Sequence, residues 1–167
     1  MKIKIECVKN LSSAEAEDIL RINHDNLYVN GGQLHYAGIL NHKFAVLAKI
    51  DGKVVGYTLL YPGFLVEKDL YVMQVAVDKN YQHLGIGSKM YKYAYEHSKE
   101  YSVLTANVNE NNNISQNFHL KMGFVNYGIN NLGIIYVNPV TENVKKCFDD
   151  AQPKCLYIKS NKESFEK

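Results

Sequence analysis

Hydrophobic and polar residues alternate over the first half of the chain in the pattern of β-strands. Residues 2–8 alternate between polar and apolar, which predicts a half-buried first strand. Residues 43–50 and 54–61 flank an Asp-Gly pair at positions 51–52, a dipeptide that favours a tight hairpin turn. The run 70–77 is rich in Val and aromatic residues and indicates a buried strand. The segments 43–50, 54–61 and 70–77 together predict an antiparallel meander of three strands.

Apolar residues at helical spacing predict helices between these strands. Ser12 and Glu15 form a capping box, which begins a helix ending near Asn26. Residues 33–40 follow a Gly-Gly pair and indicate a second, shorter helix. A third helix is predicted over 85–100. The residues expected on its apolar face are Ile86, Met90, Ala94 and His97.

A further strand and helix alternate in the second half of the chain. A strand is expected over 101–108, parallel to 70–77 because the connection between them is a helical crossover. Ile114, Phe118 and Met122 then mark the apolar face of a helix that Gly123 ends.

The rest of the chain is predicted from shorter patterns. The remaining expected elements are strands over 124–129, 133–137 and 155–159 and a short helix over 141–150. We expect one domain over 1–160 and a frayed tail over 161–167.

The stretch 71–90 combines a strand, a turn with Gly85 and Gly87, and the start of a helix. Unpaired backbone N–H groups at such a helix start can bind an anion. A dinucleotide fingerprint would need a third glycine where Met90 stands. A P-loop would need Gly-Lys-Ser/Thr, whereas residues 87–89 read Gly-Ser-Lys. Both of these nucleotide-binding motifs are therefore excluded.

The amino-acid composition limits which kinds of binding partner are expected. The formal charge is +2 and Arg21 is the only arginine, which does not favour nucleic acid and makes phosphate recognition depend on backbone amides and lysine. Cys7, Cys147 and Cys155 lack metal-site or CxxC spacing, so we expect free thiols in a reducing cytoplasm and no metal. No apolar run is long enough for a membrane span, and we expect a cytoplasmic protein without a membrane partner.

The turn 82–87, Gln-His-Leu-Gly-Ile-Gly, fits the pattern Gln/Arg-x-x-Gly-x-Gly/Ala, and Asn112 and a Gly-Phe pair at 123–124 bracket the following helix. In this combination the chain resembles the GNAT superfamily of acyl-CoA-dependent N-acetyltransferases, most densely over 53–128. The resemblance implies an α/β (α+β) fold with a mostly antiparallel, twisted sheet of about seven strands. It also implies a splayed parallel pair at the centre of the sheet and about four flanking helices.

The resemblance implies acetyl-CoA as cosubstrate. The amides of 83–88 would cradle its pyrophosphate, and the main chain of 75–77 would bond its pantetheine. Lys89 and Lys92 are solvated helix lysines or phosphate contacts. The residues carried over as cofactor-binding are Val75, Ala76, Val77, Gln82, His83, Leu84, Gly85, Ile86, Gly87, Ser88, Asn112 and Phe118. Asn112 is equally explained as a plain helix N-cap.

Two positions depart from the family pattern where catalysis is concerned. His119 stands where many members have a tyrosine acid, and an imidazole could protonate the leaving thiolate or simply pack. Gln74 stands where many have a glutamate base; it cannot accept a proton but could orient a water or the amine, with Glu67 or Asp69 as relay. Tyr127, Tyr136 and Tyr157 are alternative acids that spacing does not separate.

The sequence gives less information about the residues that bind the acceptor. By resemblance, Tyr28, His35 and Tyr36 lie on the helix pair that caps the acceptor and are candidate substrate contacts. Residues 131–154 would be an insertion before the last strand, either at the acceptor mouth or in a homodimer contact.

The expected activity is transfer of an acetyl group from acetyl-CoA to a primary amine by direct attack, with a small molecule favoured as acceptor. The alternatives are a protein N-terminus or lysine acetyltransferase and a non-catalytic acyl-CoA-binding or regulatory module. An enzyme acetylating aminoacyl-tRNA would need a basic face, which the charge balance does not favour.

Overall fold

The structure is a computed structural model of the chain and describes residues 1–27, 42–63, 65, 68–98, 100–101 and 103–138. The strands are β1 (Lys4–Val8), β2 (Phe44–Ile50), β3 (Lys53–Pro62), β4 (Asp69–Val77), β5 (Val103–Val108), β6 (Val125–Asn130) and β7 (Gly133–Asn138). The described α-helices are α1 (Ser13–Leu27), α2 (Ile86–His97) and α3 (Asn113–Lys121), and a short 3₁₀ helix spans Lys79–Tyr81.

The seven strands form one sheet in the order β1-β2-β3-β4-β5-β7-β6. The sheet is mostly antiparallel, and β4 and β5 are its parallel pair. The predicted fold class, meander and parallel crossover are confirmed. The crossover is parallel because a strand can return beside its predecessor in the same direction only through a long connection, here α2.

By packing, the chain divides into two compact units, and β4 contributes to both. The first unit holds Met1–Tyr61 and Val72–Lys99. The second unit holds Pro62–Tyr71 and the described residues from Glu100 onward. The prediction of a single domain over 1–160 stays a prediction.

Helix α1 begins with the predicted capping box. The Ser12 N–H donates to Glu15 Oε2 at 2.7 Å, and the Glu15 N–H donates to Ser12 Oγ at 3.3 Å. Ile19 and Ile22 are fully buried on the inner face of α1. They pack with inward residues of the sheet, namely Ala45, Leu47, Val54, Tyr57, Leu59 and Ala76, to form the core of the first unit.

The hairpin between β2 and β3 turns where predicted. Asp51 has φ 49° and Gly52 has φ 81°, so both central residues are left-handed. This backbone matches the right-handed twist of the flanking strands, and Asp and Gly adopt it most readily. The register places Val46 opposite Thr58, with an irregularity between Ala48 and Lys49.

Helix α2 approaches β3 closely at a glycine. A Cβ on Gly56 would lie 3.1 Å from Ile86 Cγ2, 3.3 Å from Met90 Cε and 3.4 Å from the Ala76 carbonyl oxygen. Ile86 and Met90 are 2% and 0% exposed. Because Gly56 has no side chain, the first two turns of α2 can pack directly on the sheet.

The predicted apolar face of α2 is right at three positions and wrong at the fourth. Ile86, Met90 and Ala94 are buried, but His97 is exposed and its ring stacks on Tyr93 at 3.8 Å. Tyr91 is buried instead. His97 lies in the last turn of the helix, where its Nδ1 bonds the Tyr93 carbonyl oxygen at 2.9 Å.

Helix α3 forms as expected, but the prediction of which of its residues face inward is wrong. Ile114 is 86% exposed and Phe118 is half-buried, whereas His119 is 2% exposed. A polar residue thus occupies the buried stripe, and the apolar residue at 114 faces outward. Gly123 ends the helix with φ 83°, as predicted.

The strand predicted over 133–137 is confirmed as β7, and the expected insertion over 131–154 stays a prediction. Residues 133–138 form β7, which pairs antiparallel with β5 and β6, and Ala106 faces Tyr136 in this register. A tight turn after β6 thus leads directly into a sheet strand. The predicted strand 155–159, the short helices over 33–40 and 141–150, and the tail lie outside the described residues.

None of the helices in the described part of the chain combines the length and the apolar character that a membrane crossing needs.

We predict that Gly56→Ala destabilises the fold. Glycine to alanine in a strand normally stabilises, because glycine loses more backbone entropy on folding. Here the added methyl group meets Ile86 and the Ala76 carbonyl, and overpacking costs about 1–3 kcal/mol. Urea unfolding should show a lower midpoint with an unchanged m-value. A midpoint equal to or above that of the wild type would contradict this packing.

Candidate anion-binding site at the start of α2

The turn between β4 and α2 has an unusual backbone. Asp78 caps the 3₁₀ helix by accepting the Asn80 N–H at 2.9 Å. His83 and Gly85 then have φ values of 63° and 70°. Two left-handed residues within three positions reverse the chain sharply before α2, and glycine adopts this conformation without strain.

The start of α2 carries no side-chain cap. Gly85 is the N-cap residue, and no side chain bonds to this helix end. The Lys89 N–H donates to the Gly85 carbonyl oxygen at 3.0 Å, which closes the first α-helical turn. The N–H groups of residues 86–88 precede that bond and have no acceptor within the helix. This helix end therefore suits an anion, which the helix dipole also favours.

The surroundings of the turn fit an anionic group such as a CoA phosphate. Gly85 is exposed, and a Cβ built on it would meet nothing within 4 Å. Gly87 and Ser88 are half-buried, so the helix start faces open space on one side. Lys89, in the first turn of α2, is exposed. No carboxylate occupies residues 79–90.

The other predicted cofactor residues of the first unit line the end of β4 and the turn. Val75 and Val77 are half-buried and Ala76 is buried in the core. Gln82, His83 and Leu84 are exposed, and Ile86 anchors the helix below them. Backbone recognition of pantetheine by 75–77 stays a prediction.

Gln74 belongs to a buried polar cluster. Its Oε1 accepts the Asn23 Nδ2–H at 3.0 Å and the Tyr57 hydroxyl at 3.3 Å. Asn23 also donates to the Tyr57 oxygen at 2.9 Å. Burial raises the pKa of Tyr57 to about 12, although the bond from Asn23 opposes the rise. The phenol is therefore neutral at physiological pH, and the cluster orients Gln74 without supplying a base.

His119 lies in the core of the second unit among aromatic rings. It stacks on Tyr136 at 5.3 Å between ring centroids and meets Phe118 and Phe124 edge-on at 5.4 and 5.1 Å. Its Nδ1 lies 2.8 Å from the Ser115 carbonyl oxygen, which can only accept, so Nδ1 carries the proton.

Burial lowers the pKa of His119, and the bond to the Ser115 carbonyl only partly opposes this. At neutral pH the ring is uncharged, with its single proton held by its own helix. A general acid would need a second proton, which burial disfavours. The environment therefore supports a packing role, and the predicted acid role stays a prediction.

Asn112 has the local structural role that was one of its two interpretations. It is the N-cap of α3, and its Oδ1 accepts the Ser115 N–H at 3.0 Å. Phe118 is half-buried on the same helix. Contact of either residue with a cofactor stays a prediction.

Asp69, a suggested proton relay, is engaged inside the second unit. It is fully buried, and its Oδ2 accepts the Thr105 hydroxyl at 2.6 Å and the Leu65 N–H at 3.0 Å. Both bonds tie a loop and a strand to this carboxylate, which gives it a structural role. Glu67 lies outside the described residues.

The predicted acceptor contacts Tyr28, His35 and Tyr36 lie outside the described residues, as does Tyr157. Within the described ranges, no three His, Cys, Asp or Glu side chains are grouped as metal ligands would be.

The sequence interpretation missed Asn23 and Tyr57 beside Gln74. Asn23 lies one helical turn after Ile19 on the inner face of α1 and is 6% exposed. A polar residue in an apolar helical stripe indicates a buried partner, and this pattern could have identified the cluster.

Comparison with known proteins identifies the family of this chain. Residues 12–124 match the model of the acetyltransferase (GNAT) family. The chain therefore belongs to the GNAT family of acetyltransferases. An uncharacterized N-acetyltransferase encoded in the pepI 3′ region of Lactobacillus delbrueckii subsp. lactis is 29% identical over 113 residues, which are 64% of this chain. The match spans 61% of the length of that relative.

Solved structures share the fold. A protein of Pyrococcus horikoshii OT3 superposes with a TM-score of 0.67 at 20% identity, covering 84% of this chain and 99% of its own. A Bacillus anthracis acetyltransferase, solved in complex with acetyl coenzyme A, superposes with a TM-score of 0.54 at 21% identity. That match covers 59% of this chain and 63% of the Bacillus protein.

We predict that His119 makes the fold sensitive to acid. The unfolded imidazole titrates near 6.5 and the folded one below it, so the unfolded state binds more protons in that interval. The contribution of His119 is fully present above pH 6.5 and is lost as the pH falls through the folded pKa. Urea unfolding across this range should show a shallower loss of stability for His119→Phe than for the wild type.

His97→Phe is the matched control, because it makes the same substitution at an exposed histidine. Equal pH slopes for His119→Phe and the wild type would contradict a buried neutral imidazole. In the same variants, a large fall in turnover for His119→Phe would support the acid role instead of packing.

Proposed function

We propose that this protein is an N-acetyltransferase that uses acetyl-CoA and acetylates a primary amine, with a small molecule as the favoured acceptor. The observation that carries the proposal is the uncapped, open start of α2 behind a left-handed turn, at the family's Gln-x-x-Gly-x-Gly motif. Membership of the GNAT family supports it. So does the shared fold of the Bacillus protein that binds acetyl coenzyme A.

The residues proposed to bind the phosphates and the pantetheine lie in the first unit. The amides of 83–88 would hold the phosphates, because they are the hydrogen-bond donors that the helix leaves unused. Main-chain groups of 75–77 would hold the pantetheine, and Lys89 would add positive charge near the phosphates. Contact of Asn112 and Phe118 with the cofactor is carried over from the family resemblance alone.

Bound acetyl-CoA supplies a thioester whose carbonyl carbon an amine attacks, so that a C–N bond forms, the C–S bond breaks and CoA leaves as a thiol. The protein's own contribution is chiefly to hold the reactants in a productive orientation. Proximity of this kind can be worth about 7–11 kcal/mol of the barrier. The proposal includes no covalent enzyme intermediate and assigns no catalytic role to a cysteine.

Proton transfer in the proposal depends on water. The amine must lose a proton, and Gln74 has no basic group; held by Asn23 and Tyr57, it can orient a water molecule or the amine. The described part of the chain therefore offers positioning at this point, and the proton leaves to solvent. Turnover should consequently rise with pH as more of the free amine is deprotonated.

A second candidate function is an acyl-CoA-binding module without turnover. Two observations favour it: Gln74 replaces a proton acceptor, and the His119 imidazole is buried and neutral. Both candidates use the same cofactor site, so only turnover separates them.

The experiment is thiol release from acetyl-CoA on a panel of small amines, with lysine-containing and N-terminal peptides in parallel. Release that depends on a small amine supports the proposal. Release only with peptides would change the acceptor class. Tight CoA binding without turnover on any amine would support the binding module, and no CoA binding would contradict both.

We predict that Gly87→Glu weakens CoA binding by at least about tenfold while the protein stays folded. The substitution places a carboxylate among the amides of the first turn of α2, and a like charge facing a phosphate costs several kcal/mol. Tyr95→Glu is the matched control, because it adds the same charge to a 49%-exposed position of the same helix. Calorimetric titration with CoA is the measurement. Equal affinities in Gly87→Glu and the control would contradict the site.

A further inference from the structure

Helix α1 contacts residues 78–82 at two points. This segment connects β4 to the proposed CoA-binding amides of residues 83–88. Arg21 Nη1 donates to Asp78 Oδ2 at 2.5 Å, and Asn26 Oδ1 accepts the Gln82 Nε2–H at 2.9 Å. Asp78 directly follows β4, and Gln82 is the first residue of the glycine motif. The two contacts therefore hold both ends of residues 78–82.

Asp78 organises the backbone of this segment. Its Oδ1 accepts the Asn80 N–H at 2.9 Å, and its carbonyl oxygen accepts the Tyr81 N–H at 2.8 Å. Its own N–H donates to the Val55 carbonyl oxygen at 2.9 Å, which ties the segment to β3. The residue is only 6% exposed. A shift of this carboxylate would therefore move the 3₁₀ helix that enters the turn.

Arg21 is the cation that stabilises this carboxylate. Burial raises the pKa of Asp78, but the bonds from Arg21 and Asn80 outweigh it, and the net pKa lies below the ordinary value. Hydrogen bonding to Asp78 raises the pKa of Arg21 in turn. Removal of the guanidinium would leave a buried charge without its cation.

Arg21 is committed to this structural contact. It is the only arginine in the chain, and an arginine near a phosphate-binding turn would ordinarily suggest a direct phosphate ligand. Here one nitrogen bonds Asp78, and the other lies 3.6 Å from Asp18 Oδ1. Asp18 also accepts the Val54 N–H at 3.0 Å, which fixes α1 against β3.

Asn26 is oriented for its contact by its own helix. Its Nδ2 donates to the Ile22 carbonyl oxygen at 2.8 Å, which directs Oδ1 toward Gln82. Gln82 Nε2 also donates to the Val77 carbonyl oxygen at 3.1 Å. The Gln82 amide thus joins the end of β4 to α1 just before the chain turns into α2.

We propose that Arg21 and Asn26 are positioning residues for the CoA-binding turn: they hold Asp78 and Gln82 so that the amides of 83–88 point at one anion. The inference rests on the proposed function. Neither residue contacts the cofactor in this account. Their loss therefore lowers CoA affinity and raises the KM for acetyl-CoA, with little change in kcat.

The test compares Arg21→Met with Lys49→Met. Lys49 also joins α1 to the sheet, at 2.6 Å from Glu15 and 2.5 Å from Glu6, but at the other end of the helix. Both variants lose a cation that pairs with carboxylates, and both should melt at a lower temperature. Only Arg21→Met should bind CoA about tenfold more weakly, because amides that no longer point at one anion lose their preorganisation.

Milder variants separate positioning from unfolding. Arg21→Lys retains a cation and should recover much of the CoA affinity. Asn26→Ala and Gln82→Ala, measured singly and together by calorimetry, should be strongly non-additive, since each removes the same bond. Circular dichroism verifies that each variant is folded before titration.

The outcomes are distinct. Weaker CoA binding in Arg21→Met and Asn26→Ala, with Lys49→Met like the wild type, supports the inference. Unchanged CoA affinity in folded Arg21→Met and Asn26→Ala, or an equal loss in Lys49→Met, would overturn it while leaving the proposed function intact. Failure of the wild type to bind CoA would overturn the proposed function and this inference with it.

Discussion

The backbone N–H groups that have no acceptor at the start of α2 are the constraint around which the first unit is arranged. An α-helix leaves its first N–H groups without acceptors, and here no side chain caps them. Gly56 lets Ile86 and Met90 seat the helix on the sheet from below. The left-handed residues His83 and Gly85 bring the chain to that point. The helix is thus packed against the sheet while its polar end stays open, which is what an anion-binding site requires.

The chemistry that follows from this arrangement is one of binding and orientation. The positions where the family often has a base and an acid hold an amide in a polar cluster and a neutral, buried imidazole. In the proposed function, catalysis relies on placing a thioester and an amine together, with water taking the proton. The same features explain why a binding module without turnover is the competing account.

Local interactions made much of the fold predictable. The Ser12–Glu15 capping box, the Asp-Gly hairpin, the helix stop at Gly123 and the parallel crossover each depend on residues close in sequence or on chain connectivity. The left-handed turn before α2 was predictable for the same reason, since glycine spacing at a helix start has a direct physical meaning.

Contacts between distant residues were not predictable. The bond from Arg21 to Asp78 joins residues 57 positions apart, and no periodicity indicates it. The predicted inward face of α3 was wrong because its buried residue is His119. Two aromatic partners of His119 lie outside its helix: Phe124 directly precedes β6, and Tyr136 lies in β7. The strand over 133–137 was predicted from its own apolar run and corresponds to β7, but its pairing with β5 joins residues far apart in the sequence and was not predicted.

The measurement that tests the central claim most directly is a titration of the ¹⁵N-labelled protein with CoA, followed by amide chemical shifts. The account predicts that the amides of His83, Gly85, Gly87 and their neighbours up to Ser88 shift together and saturate with one affinity. Saturable shifts confined to other parts of the chain, with these amides unchanged, would contradict it.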